Sequence, residues 1–243
     1  MTLEKTKNWQ KAITEDGFSV VEGVLSPQHI QTLIESIAIA SNTTFAKRRG
    51  GSTYAIRNIL TTIPGIQALS TSPPVISLAQ TVLGDRAYPV RALLFDKTPT
   101  ANWKVSWHQD LTIAVKEKKT VEGFAPWSVK AGIPHVQPPV EILENLLTLR
   151  IHLDDCDADN GALKVIPTSH LLGKLSQLEI DSFKQTGTVH ICHAKAGDVL
   201  IMRPLLLHSS SPSIKPFHRR IIHIEYAAIA LPESLEWSTI GLF

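Results

Sequence analysis

Hydrophobic positions recur at two different spacings along this chain, and the change falls near residue 86. Ile30, Leu33, Ile34 and Ile37 follow Ser26-Pro27 at helical intervals, which predicts a helix running to about Asn42. A second start at Ser72-Pro73 leads Val75, Leu78, Ala79 and Val82 to a stop at Gly84. Residues 2–16 predict a short helix closed by Asp16-Gly17, and FSVVEGV (18–24) a strand. Beyond that point the runs are strand-like: 88–96, 105–113, 146–153, 162–166, 189–194, 198–202, 205–210 and 220–228. Turn residues such as DADNG (157–161) and AGD (196–198) separate them. Short strands without alternating helices predict a mainly β, α+β chain built as a sandwich or jelly roll, not a parallel α/β sheet. The expectation is one domain over 1–243, helix-rich in 1–86 and β in 87–243.

One strand alternates strictly. In LLTLRIHL (146–153), Leu147, Leu149, Ile151 and Leu153 share one face, and Thr148, Arg150 and His152 the other. The apolar face must be packed; the polar face looks either at bulk water or into a wet cavity. By contrast 116–142 has no period and carries several prolines. A loop of that length inside a compact domain is expected to be functional, and a lid is the common form.

Composition narrows the class. Hydrophobic residues make up 43% and charged residues 19% of 243, enough to bury a core. The net charge of +2 is too small, and the basic residues too scattered, for nucleic-acid binding. KRR (47–49) is read as a solvated loop. Cys156 and Cys192 form no CxxC pair, so neither a disulfide framework nor an oxidising compartment is expected. The N-terminal residues lack signal-peptide order and no apolar run approaches the ~20 residues of a membrane helix, so a cytoplasmic location is the expectation.

Candidate chemistry begins at VSWHQDLTI (105–113), which sets His108 and Asp110 two apart in a β-leaning run. On a strand such residues share a side, about 7 Å apart, and their side chains can lean onto one ion. A third ligand is required, and His208 in PLLLHSSS (204–211) is the best placed. Two histidines and one carboxylate suit non-haem Fe(II) and leave positions open. His190 and His193 in HICH point to opposite faces of a strand and are discounted. Arg219 and Arg220 follow, and a guanidinium fork matches a carboxylate. Strand parity cannot choose between the two arginines.

With these residues in view the chain resembles the phytanoyl-CoA dioxygenase family of Fe(II)- and 2-oxoglutarate-dependent oxygenases. The likeness is carried by DGFSVVEGVLSPQHI (16–30), AIRNIL (55–60), WHQD (107–110), LDDCDADNGALKVIPTSHLLG (153–173), AGDVLIMRPLLLHSSSP (196–212) and RRIIHIEYA (219–227). It implies a double-stranded β-helix, a cupin-like jelly roll with N-terminal and supporting helices on one sheet. It implies His108, Asp110 and His208 as iron ligands, and Arg219 and Ser210 on the distal carboxylate of 2-oxoglutarate. Arg57 would sit near the cosubstrate, and Thr148, Arg150 and His152 would look into the barrel.

The activity implied is oxidative decarboxylation of 2-oxoglutarate with O2, giving succinate and CO2 and hydroxylating a C–H bond of a small molecule. Halogenating relatives have a small residue where Asp110 stands, so hydroxylation is expected in preference. In the 116–142 segment, Trp127, Lys130 and His135 are candidate substrate contacts. Two other classes are weighed: a zinc or manganese hydrolase on the same jelly roll, and a non-catalytic binding or sensor protein. A hydrolase has no need for Arg219 with Ser210, and neither class would consume the keto acid.

Overall fold

Proline sits at the first position of three helices, where its missing N–H would have had no intrahelical partner. The structure, a computed structural model, describes residues 3–40, 46–49, 52–214, 217–233, 235–239 and 241–242. Helix α1 (Leu3–Glu15) leads to β1 (Phe18–Val21) and α2 (Pro27–Ala40). Next come β2 (Ala46–Arg49), β3 (Ser52–Arg57), α3 (Ile59–Thr62), α4 (Pro64–Thr71) and α5 (Pro73–Leu83). The β region runs β4 (Tyr88–Lys97), β5 (Val105–His108), β6 (Ile113–Ala114), β7 (Trp127–Lys130) and β8 (Ile133–Val136). After α6 (Val140–Glu144) come β9 (Leu146–His152), β10 (Leu163–Val165), α7 (Gln177–Thr186), β11 (His190–Cys192), β12 (Val199–Met202), β13 (His208–Ser210) and β14 (Arg219–Ala227).

Among the described residues the strands form three sheets, with every pairing antiparallel between β1-β12-β9-β14-β4-β3-β2, between β11-β10-β13-β5 and between β6-β8-β7. The apolar face of β9 does what its alternation predicts. Leu147, Leu149 and Ile151 pack with Ile30, Leu33, Ile37, Ile66, Val75 and Leu78 of the helical layer. The opposite face of the large sheet turns toward the smaller one: Leu200 and Met202 share a cluster with Leu163, Val165 and Cys192. Thr148, Arg150 and His152 are accordingly buried between sheets rather than solvated.

Several expectations are corrected. The run 105–113 is not one strand: β5 ends at His108 and β6 begins at Ile113. Segment 116–142 is not an irregular loop, since β7 and β8 form a hairpin that pairs with β6. Its apolar residues supplied the reason, because Phe124 and Val136 bury in a second core with Trp237. KRR lies on strand β2, paired to β3, and not in a loop. The second helix ends at Ala40, and Asn42 lies outside the described residues. Helix α5 does start at Ser72-Pro73, with Ser72 as its N-cap residue, but the Ser72 hydroxyl donates back to the Leu69 carbonyl at 2.7 Å instead of bonding the helix. Helix α7 was not anticipated, although Ser176 and Glu179 form a full capping box at its start. No helix among the described residues is long and apolar enough to cross a membrane.

Candidate metal site

Strand pairing sets His208 directly opposite His108. Their ring centroids are 4.2 Å apart. Each Nδ1 meets a carbonyl at 2.8 Å, Ser106 O for His108 and Leu206 O for His208. A carbonyl can only accept, so Nδ1 carries the hydrogen and the Nε2 lone pair is left free for a metal. Those Nε2 atoms lie 3.8 Å and 3.7 Å from the two carboxylate oxygens of Asp110. One ligand atom from each residue falls within 4.8 Å of the others. Burial would raise the Asp110 carboxyl, but His208, His223, His108 and Arg91 outweigh it and hold the group well below the usual carboxylate range. Burial depresses His208 to about 4, so its imidazole is neutral at physiological pH. Two imidazole Nε2 atoms and one carboxylate on one side of an open position form the donor set that suits Fe(II).

Asp110 does not reach the site by strand pleat. The strand has ended, and the Asp110 N–H donates to Pro204 O at 2.9 Å. Gln109 is the anchor of this turn: buried, it donates to Gly173 O (2.8 Å) and Leu205 O (2.7 Å) and accepts from Leu175 N–H (2.8 Å). With Gln109 tied into the body, its neighbour turns toward the cavity.

The cavity beside the triad holds about 230 Å³ and is bordered by Arg57, Arg91, Arg150, Arg219, His223 and Glu225. Arg219 is 2% exposed; one terminal nitrogen donates to Gly161 O at 2.7 Å, and its Nε has no partner. Arg150 likewise has an unpartnered Nε. Lys97, fully buried, donates to Ser210 Oγ at 3.0 Å and to Ser211 O, and burial pulls its ammonium down to about 7. Buried cationic donors without a carboxylate partner are costly, and they define a place where an anion fits. Arg220 faces the other way, gripping Asp154 through Nε (2.8 Å) and a terminal nitrogen (2.6 Å). Tertiary context thus separates the two arginines that parity could not.

Farther along this wall a chain of side chains runs Arg150 to His223 Nδ1 (3.1 Å), His223 Nε2 to Glu225 (3.3 Å), and Glu225 to Arg91 (3.0 Å). Arginine only donates, so His223 Nδ1 accepts and its Nε2–H donates to Glu225. Lys130 donates to Thr112 Oγ1 at 3.1 Å, two residues along the chain from Asp110, and is not itself among the residues lining the cavity. His135 is buried in a small recess with Arg57 and Arg91, and burial lowers it to about 4. Thr148 is buried below the cavity with an unpartnered hydroxyl and is not among the residues lining it. Trp127 does not line the cavity either: it packs on the second core, with the Lys118 ammonium 5.8 Å from its ring centroid. Reading the sequence missed Lys97, Arg91, Gln109, His223 and Glu225. For the last two a signal existed, since His223 and Glu225 share the β14 face of Arg219.

Comparison with known proteins agrees with this geometry. The family model described as phytanoyl-CoA dioxygenase (PhyH) matches residues 13–221. A probable alpha-ketoglutarate-dependent hypophosphite dioxygenase of Stutzerimonas stutzeri is 24% identical over 90% of this chain and 77% of its own. The ectoine dioxygenase of Bordetella bronchiseptica is 20% identical over 87% of this chain and 71% of its own. Among solved structures, the alpha ketoglutarate dependent epimerase SnoN from nogalamycin biosynthesis superposes with a TM-score of 0.69 at 17% identity, covering 93% of this chain and 82% of its own. EctD from S. alaskensis with 2-oxoglutarate and 5-hydroxyectoine gives 0.70 at 17% identity, covering 94% and 77%. The fold is therefore the jelly roll that those oxygenases share.

Proposed function

The chain belongs to the phytanoyl-CoA dioxygenase family and is an Fe(II)- and 2-oxoglutarate-dependent dioxygenase, and from that premise we propose that it hydroxylates a C–H bond of a small molecule. The observation that carries this is the triad of His108, Asp110 and His208, with its lone pairs turned to one open point beside a buried, under-partnered arginine. Iron, 2-oxoglutarate and O2 together supply an oxidant able to insert one oxygen atom into a C–H bond, leaving succinate and CO2. His108 and His208 would hold the metal through Nε2, with backbone carbonyls orienting the rings. Arg219, with Ser210 beside it, grips the distal carboxylate of the cosubstrate; Arg150 and Arg57 add positive potential around it. SnoN, which shares the fold, is an epimerase, so epimerisation is the alternative outcome that product analysis would reveal. Asp110 favours hydroxylation over halogenation, because a retained carboxylate leaves no place for chloride on the metal.

The test is anaerobic addition of Fe(II) and 2-oxoglutarate to the purified protein, followed in the visible range, and then admission of air. A weak charge-transfer band and slow conversion of 2-oxoglutarate to succinate are expected. Iron binding with no band and no succinate would transfer the case to a hydrolase or a binding protein on the same fold.

A further inference from the structure

This inference rests on the iron and 2-oxoglutarate reading and adds the class of substrate. Arg57 and Arg91 border both the main cavity and the recess behind it. Arg57 ends β3 and pairs in register with Leu93, on the strand that carries Arg91 two residues earlier. Lys130 reaches the same wall from the β7–β8 hairpin, and Thr112 ties the two together: its hydroxyl accepts from Lys130 at 3.1 Å and its carbonyl from Arg91 at 3.3 Å. Glu225 is the carboxylate bonded here, and it is committed to Arg91 and His223. Arg57 is left with a buried Nε that has no partner.

The charges decide the point. Arg57 and Arg91 line the cavity and Lys130 stands at its edge, bonded to Thr112; together they bring three positive charges and Glu225 one negative, leaving two. Arg150 and Arg219 bring two more, and ferrous iron less Asp110 one. 2-Oxoglutarate removes two, so a surplus of at least three positive charges remains in the loaded site, with Lys97 behind Ser210 left out of the count. A cationic substrate would enter against that field, and a neutral one would leave Arg57 unsatisfied. At about 230 Å³ the cavity is also smaller than the usual ~300–1,000 Å³ of small-molecule sites, and the cosubstrate takes part of it.

We propose that the substrate is a compact anion whose carboxylate or phosphorus oxyanion is held by Arg57 and Lys130 on the wall that Arg91 and Glu225 support. Arg57 borders the cosubstrate as well, so Lys130 is the residue on which the test turns.

The experiment is calorimetric titration of anaerobic protein loaded with Fe(II) and saturating 2-oxoglutarate. Isobutyrate, isobutyramide and isobutylamine share one skeleton and differ in head group, and methylphosphonate supplies the phosphorus oxyanion. At least one anion is expected to bind about tenfold or more tighter than the amide and the amine, and the two anions distinguish carboxylate from phosphorus oxyanion. Lys130→Met should weaken that anion about ten- to hundredfold while the 2-oxoglutarate band is kept. Lys130→Arg should retain it. Equal or tighter binding of the amide or amine, no saturable anion binding, or unchanged anion affinity in Lys130→Met overturns the proposal. If the chelate band never forms in the wild type, it is the iron and 2-oxoglutarate reading that fails, and the same probes on metal-free protein still decide the anion preference. Should Lys130→Met fail to fold, the four-probe comparison on the wild type carries the decision.

Discussion

His108 and His208 face each other across the β5–β13 pair, rings 4.2 Å apart, each with Nδ1 tied to the carbonyl two residues before it. The two donations do more than hold the rings still. They assign the hydrogen to Nδ1 on both residues and so present two Nε2 lone pairs to the same point as Asp110. His208→Ala and Asp110→Ala are each expected to abolish the charge-transfer band and succinate formation, with melting temperature of the metal-free protein changed far less.

Gln109 fastens the turn that delivers Asp110. Its amide satisfies two carbonyls and one N–H on two segments far from it in sequence, around Gly173–Leu175 and at Leu205. Gln109→Ala leaves those groups unpaired and should destabilise the protein by about 1–3 kcal/mol, and it should also weaken iron binding. Gln109→Glu tests the donor role: a carboxylate cannot donate to Gly173 O and Leu205 O, so denaturant titration should show a loss at least as large.

The neighbouring arginines should separate cleanly in kinetics. Arg219→Ala removes a buried guanidinium from the cavity and should raise the KM for 2-oxoglutarate about hundredfold or more. Arg220→Ala breaks a partly exposed pair with Asp154. It should cost on the order of 1 kcal/mol of stability and leave that KM within a few-fold.

Acid should destabilise the fold through buried histidines away from the metal. Burial lowers His135 to about 4 and, with repulsion from Arg150 and Arg219, His152 to about 3, against 6.5 for an ordinary histidine. Between those values the unfolded chain binds more protons than the folded one. Stability is therefore fully present above about pH 6.5 and falls as pH drops toward 4 and 3. Denaturation curves from neutral to about pH 4 should show His152→Leu losing less stability over that range than the wild type.

Gly161 is a backbone requirement. Its φ is +67°, and an added Cβ would lie 2.7 Å from Ser211 O and 3.1 Å from Lys97 Nζ. Its carbonyl also receives Arg219. Gly161→Ala should cost about 1–3 kcal/mol by strain and disturb 2-oxoglutarate binding as well, read by melting temperature and by the band titration.

Much of this was written in the chain locally. The alternation in 146–153 determined which face of β9 packs the helices, because a period of two allows only one apolar face. HxD, the distant His208 and the NGALKVIPTSH stretch were sufficient to name the family, since ligand types and spacing are one-dimensional properties. The α7 start is also legible: SQLE (176–179) is a capping box, although the helix it begins buries only Ile180 and so lacks a clear apolar stripe.

Tertiary structure alone decided the rest. Arg219 and Arg220 are chemically identical and adjacent, and only the register of β14 between β4 and β9 buries one in the cavity and aims the other at Asp154. Asp110 reaches the ligand set from outside a strand, because contacts to Pro204, Gly173 and Leu205, far away in sequence, override the local pleat. Lys97, one residue beyond the strand expected at 88–96, is fully buried opposite Arg219, while Arg57, Arg91 and Lys130 come together from three separate elements. Charge accumulated across distant segments has no signature in any window of sequence; it exists only once the sheets close around it.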